Sequence, residues 1–175
     1  MITEATIEIL NQGLSVLEKI SDEDYDTQIQ LVYGGTIGGH FRHVLEHFTT
    51  LYESHAEGFV NYDLRKRNES IEKDRGAAIQ ATENLKARWL ELDPSCYEQS
   101  LEINGKLSVH SDESMKIQTS MGREVAYSIA HAHHHYAIIG VMCAILERPT
   151  GQGFGVAPST VKYQRDEAEG ALSNA

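Results

Sequence analysis

Apolar side chains recur at Ile7, Leu10, Leu14, Leu17 and Ile20, three or four residues apart, and predict a helix over residues 2–20. A polar break at Asp22, Asp24 and Asp26 follows. Gly34-Gly35-Thr36 then opens a second helix, with the Thr36 hydroxyl as its N-cap and Ile37, Phe41, Val44, Leu45, Phe48 and Leu51 on its apolar face, to about Gly58. The stretch VNYDLRKRNESIEKDR is charged and without period, a long connection. A third helix spans 74–91 and stops at Asp93-Pro94, because a proline disfavours helical backbone in the residue before it. In YEQSLEINGKLSVH the period changes to two on either side of Asn104-Gly105, a strong hairpin-turn signal, and SMKIQTS offers a third short strand. Thr119 or Ser120 caps the last long helix, 120–147, which ends before Pro149. The remainder, GQGFGVAPSTVKYQRDEAEGALSNA, reads as loop that frays after Gln164.

The expected fold class is therefore mainly α: an up-and-down four-helix bundle with a small β-hairpin excursion before the last helix. One domain over 1–164 and a flexible C-terminal tail over 165–175 account for the chain.

At 175 residues the chain is long enough to bury a core without disulfide staples. Lys+Arg 15 against Asp+Glu 26 leaves a net charge of −11. An acidic surface argues against nucleic acid and anionic membranes as partners, since both select a basic footprint. Cys96 and Cys143 lie in dissimilar contexts and do not read as a disulfide framework. The N-terminal stretch carries acids where a signal peptide carries basic residues, and no apolar run reaches the roughly 20 residues of a membrane span. A cytoplasmic location is the expectation.

The unusual chemistry lies in HAHHHY, residues 131–136. Helical rotation places His131, His134 and His135 within about 100° of one another and turns His133 away. His131 and His135 are four apart, so both rings reach one ion from a single face, as in helical zinc sites. The second helix supplies a matching group: His40, His43 and His47 share a sector of roughly 60°. A lone histidine on an apolar face is usually a hydrogen-bonded core residue. Two clusters on otherwise apolar helices favour a shared cation, because charging several imidazoles in a core is costly and an ion is held by their neutral forms. No Glu has a His three residues later, which excludes the usual di-iron bundle pattern. Imidazole ligands suit zinc, nickel, iron or copper.

Four pieces in order, TIGGHFRHVLEH, NYDLRKRNESIEKDR, TSMGREVAYSIAHAHHHYAIIG and FGVAPSTVKYQ, resemble the DinB/YfiT-like superfamily of metal-dependent enzymes over nearly the whole chain. The resemblance implies a dimeric four-helix bundle with a divalent metal, Zn, Ni or Fe, on His43, His131 and His135. It sets His134 beside the centre as a catalytic or ligand-orienting residue, with His40 and His47 as flanking candidates for the same roles. The function it implies is a small-thiol-dependent S-transferase, with a low-molecular-weight thiol as cofactor and a small molecule as substrate. A metal-dependent hydrolase using bound water and a non-catalytic, stress-related metal-binding bundle are the alternatives.

Further residues bear on that expectation. Arg65, Lys66, Arg67 and Arg75 gather positive charge, either as a rim for carboxylates of a ligand, with Arg65 and Arg67 foremost, or as a loop tied down by Asp63, Glu69, Glu72 and Asp74. Tyr136 follows the histidine pair and is a candidate donor to a bound substrate or a core aromatic. Glu124 lies seven residues before His131 on the same face, more suited to a structural role than to supporting a ligand. Cys143, two turns beyond His135, reads as a small buried hydrophobe. Gly151, Gly153 and Gly155 read as a flexible turn.

Overall fold

The computed structural model describes residues 1–111 and 113–173, of 170–173 the backbone alone. It is mainly helical with one small three-stranded sheet. Helix α1, Ile2–Leu17, buries Ile9, Leu10, Leu14, Val16 and Leu17. The acidic break is itself a short helix, α2 (Asp22–Asp26), because the Ser21 hydroxyl accepts from the Asp24 amide and three acids sit at the positive end of the helix. Helix α3, Ile37–Ser54, begins where expected, with Thr36 Oγ1 accepting from the Gly39 amide at 2.9 Å.

The long connection after α3 is more structured than its lack of period suggests. It contains strand β1 (Phe59–Val60), a 3-10 turn over Tyr62–Leu64 and helix α4 (Glu69–Lys73), each of the last two opened by an asparagine side chain, Asn61 and Asn68. Helix α5, Arg75–Leu90, follows from an Asp74 cap. Its Trp89 is fully buried, edge-on to Phe48 with ring centroids 6.1 Å apart.

Asn104-Gly105 does not turn the chain. Strand β2, Ser100–Gly105, runs through both residues, and Asn104 and Gly105 pair with Lys116 and Met115 of the antiparallel strand β3, Met115–Ser120. The dipeptide signal loses because β2 is held on both sides: β1 pairs with it in parallel through Phe59 and Val60, and β3 pairs antiparallel along its whole length, Asn104 and Gly105 included. Helix α6, Met121–Ile145, starts at once from β3, capped by Ser120.

The expected C-terminal loop is a second correction. Residues 151–156 pack onto α6, where Phe154 stacks on Tyr136 at 5.1 Å, and helix α7 occupies Pro158–Ser173. Gly155 has φ +70°, and a Cβ there would collide with the Ala137 amide, so close approach rather than looseness explains the glycine. Residues 174 and 175 of the expected tail lie outside the described residues. Four long helices carry the core, α3 packing on α6 and α5, and α1 on α5 and α6. Among the described residues, no helix is long and apolar enough to cross a membrane. Cys96 and Cys143 are both free.

Candidate metal centre and adjoining cavity

The α3–α6 contact brings the two histidine groups face to face. His43, His131 and His135 each offer a ligand atom, all within 4.8 Å of one another. His43 Nε2 and His131 Nε2 are 2.8 Å apart, and His135 Nδ1 lies 2.8 Å from His40 Nδ1. His47 is buried, its ring stacked on Tyr62 at 4.8 Å, and its Nδ1 has no hydrogen-bond partner among the described residues. His134 is exposed, with its ring 5.2 Å from that of His135. His133 turns to the other side, where the Glu8 charge acts on it.

Burial holds these rings neutral. The loss of water pushes His43, His47 and His135 down to about 3. Neighbouring imidazoles add to that in all three, and Arg65 in the first two. His40 and His131 are lowered by the same burial. Neutral imidazole is the form that ligates a cation, through whichever ring nitrogen carries no proton.

Arg65 is the most connected residue beside the centre. Its Nη2 donates to His43 Nδ1 at 3.0 Å, its Nε to Glu46 Oε2 at 3.2 Å and its Nη1 to the Tyr62 carbonyl at 2.8 Å. Glu46, 6% exposed, also accepts from the Asn68 amide at 2.8 Å and lies 3.7 Å from Arg42 Nε. The loop is thus tied to a buried carboxylate of α3 rather than to Asp63, Glu69, Glu72 or Asp74. Arg75 does leave the loop, reaching Asp22 at 2.6 Å.

A cavity of about 940 Å³ adjoins the histidines, between α3, α6 and the sheet. His43, His47 and His131 form one end, with Tyr62, Tyr127 and Glu124 among its walls. Two expected substrate contacts are absent from it. Arg67 is exposed and does not line it. Tyr136 is 1% exposed and packs between Phe41 and Phe154, since one helical step beyond His135 turns it by about 100° into the core. Cys143 is likewise buried away from it, near Asp24, its thiol pushed up to about 11 by desolvation.

Glu46, Tyr62 and Tyr127 are the residues that sequence reasoning passed over. A carboxylate between His43 and His47 on an apolar helix was a readable signal for Glu46. The two tyrosines meet only through the fold.

No family model matches the chain, and no solved structure matches it. Over 104 residues, 59% of its length, it is 33% identical to FK506-binding protein 5 of Rhizopus delemar. That stretch is 27% of the relative, so the chain spans about a quarter of the protein it matches. The likeness overturns the assignment to the DinB/YfiT-like superfamily, and with it the thiol-transferase function. The four quoted pieces are loose, and i,i+4 histidines on a helix recur wherever a helix ligates metal, so they did not carry a family identity.

Proposed function

We propose that the chain binds a small molecule in the cavity beside α6, with a divalent metal ion on His43, His131 and His135 forming one end of that cavity. We read the four long helices as an up-and-down four-helix bundle that supplies both halves of the centre. The observation that carries this reading is the convergence of three neutral imidazoles within 4.8 Å at the edge of a cavity of about 940 Å³. A cavity of that size suits a small organic ligand.

The donor set fits an ion of the zinc, nickel or iron(II) kind, for which imidazole is a natural ligand. His40 is placed to accept from His135 Nδ1, the hydrogen bond that metal-bound histidines usually make through their second nitrogen. His43 and His131, whose Nε2 atoms lie 2.8 Å apart, and His135 would hold the ion. When bound, the ion would supply a Lewis acid for a lone-pair-bearing atom of the ligand.

The test is equilibration of the protein with zinc, nickel or iron(II), then buffer exchange and elemental analysis. About one ion per chain, lost in His43→Ala and in His131→Ala, is the expected result. Retention of no ion by the unsubstituted protein overturns the reading.

The likeness to an FK506-binding protein favours a second reading, in which the cavity takes FK506 or a compound of that kind and the function is peptidyl-prolyl isomerase-like. Titration with FK506 and cis–trans isomerisation of a prolyl peptide test it, and failure of both removes it.

A further inference from the structure

Among the described residues, buried carboxylates have cationic partners, with one exception. Glu46, 6% exposed, is held by Arg65 and Arg42. Asp24, 8% exposed, is held by Arg148 at 2.9 Å. Glu124 is buried more deeply, at 3%, yet among the described residues no lysine, arginine or histidine forms an ion pair with it. Its only hydrogen-bond donors there are neutral hydroxyls: Thr119 Oγ1 at 2.9 Å on Oε1 and Tyr62 at 3.2 Å on Oε2. A carboxylate accepts about four hydrogen bonds, so capacity remains. Removing such a group from water without a counter-charge is costly, and natural structures ordinarily supply the cation.

The place where Glu124 lies is the cavity wall. Tyr62 and Tyr127 lie beside it, their ring centroids 6.4 Å apart, and Tyr127 is 40% exposed. Aromatic faces attract a cation through their negative quadrupole. A desolvated carboxylate sharing a cavity wall with two aromatic rings is a combination that recognises an alkylammonium group.

We propose that the cavity holds a subsite for the ammonium group of a small-molecule amine, with Glu124 as its anion and Tyr62 and Tyr127 as its walls. The inference rests on reading the cavity as a ligand site, and it deepens that reading by naming the charge and class of the ligand. It asks nothing of the metal. The amine end of the ligand sits against Glu124, and the remainder extends toward the histidine end.

The test compares benzylamine with benzyl alcohol, neutral and of nearly the same shape, by calorimetric titration of metal-free protein and again with zinc present. Zinc uptake is measured separately, so failure of the metal reading and failure of the amine subsite remain distinguishable. Benzylamine is expected to bind the metal-free protein and to lose roughly tenfold to a hundredfold in affinity in Glu124→Gln, the range for a lost charge-assisted hydrogen bond. Benzyl alcohol is expected to bind both proteins alike and weakly. Tyr127→Leu, at a position 40% exposed, is expected to weaken benzylamine severalfold and serves should Glu124→Gln not fold. Equal binding of amine and alcohol, undiminished amine binding in both variants, or no amine binding by the unsubstituted protein overturns the proposal.

Discussion

Arg65 donates to the very ring that faces the other histidines: its Nη2 lies 3.0 Å from His43 Nδ1. A guanidinium only donates, so Nδ1 must accept, and the ring's proton sits on Nε2, directed at His131 Nε2 2.8 Å away. An ion on His43 Nε2 needs that lone pair. The proton then moves to Nδ1, where it confronts the guanidinium. Arg65 therefore opposes loading twice, by fixing the wrong tautomer and by its charge. His40, facing His135, has no such conflict.

From this opposition a sign follows for the substitution Arg65→Gln. A glutamine carbonyl accepts from Nδ1–H and carries no charge, so zinc affinity should rise by roughly tenfold, within the range that groups behind a ligand contribute. Competition with a chromophoric chelator measures it. A weaker site in the variant refutes the tautomer argument.

His40 predicts the opposite change. Its ring at 2.8 Å orients His135, and His40→Ala should weaken zinc binding about tenfold while leaving some binding. His134 is exposed, and His134→Ala should stay within about twofold of the unsubstituted protein. The same competition assay separates the two.

The four long helices α1, α3, α5 and α6 were legible because their signals are local, whereas α2, α4 and α7 were not. Thr36, Asp74 and Ser120 cap where their side chains reach the amide three residues on, and the i,i+4 spacing of His131 and His135 fixes their common face. What failed depended on distant partners. Asn104-Gly105 carries the turn signal in isolation, but Phe59 and Val60, some forty residues earlier, pair with β2 and keep it straight. Tyr136 was a candidate donor until Phe154 closed over it. The Glu46–Arg65–His43 chain joins α3 to a loop whose sequence has no period, and the salt bridge visible in the sequence was to nearer acids.

Acid should unfold the metal-free protein through these same rings. His47 is buried and held down to about 3 in the fold, against an ordinary value near 6.5, so the unfolded chain binds the proton first. Stability is then full above about pH 6.5 and falls as pH drops toward 3, by up to about 1.4 kcal/mol per pH unit for this one ring. His43 and His135 add in the same direction, less their solvent screening. Urea midpoints measured from pH 7.5 to 4.5 should decline, and His47→Gln should flatten the decline. A pH-independent midpoint over that window contradicts the burial argument.

The last prediction concerns the packing that holds Arg65 in place. A Cβ on Gly38 would meet the Glu72 carbonyl oxygen of α4 and the Tyr25 ring at 2.7 Å. Alanine at a helical glycine ordinarily gains about 1 kcal/mol. Here it must push α4 away, straining the Tyr25 hydroxyl bond to the Ile71 carbonyl at 2.5 Å and the Arg42–Glu72 pair. The clash should win, giving a net loss of about 2 kcal/mol and a melting temperature lower by roughly 4–8 °C. Gly58→Ala is the contrast: nothing lies within 4 Å, but φ is +70°, so the cost is backbone strain of about 1 kcal/mol alone. Arg42 also faces Glu46, which holds Arg65, so Gly38→Ala should alter zinc affinity as well as stability, whereas Gly58→Ala should alter stability only. Thermal melts and chelator competition on the two variants read both effects, and a Gly38→Ala protein as stable as the original would show that α4 does not clamp α3.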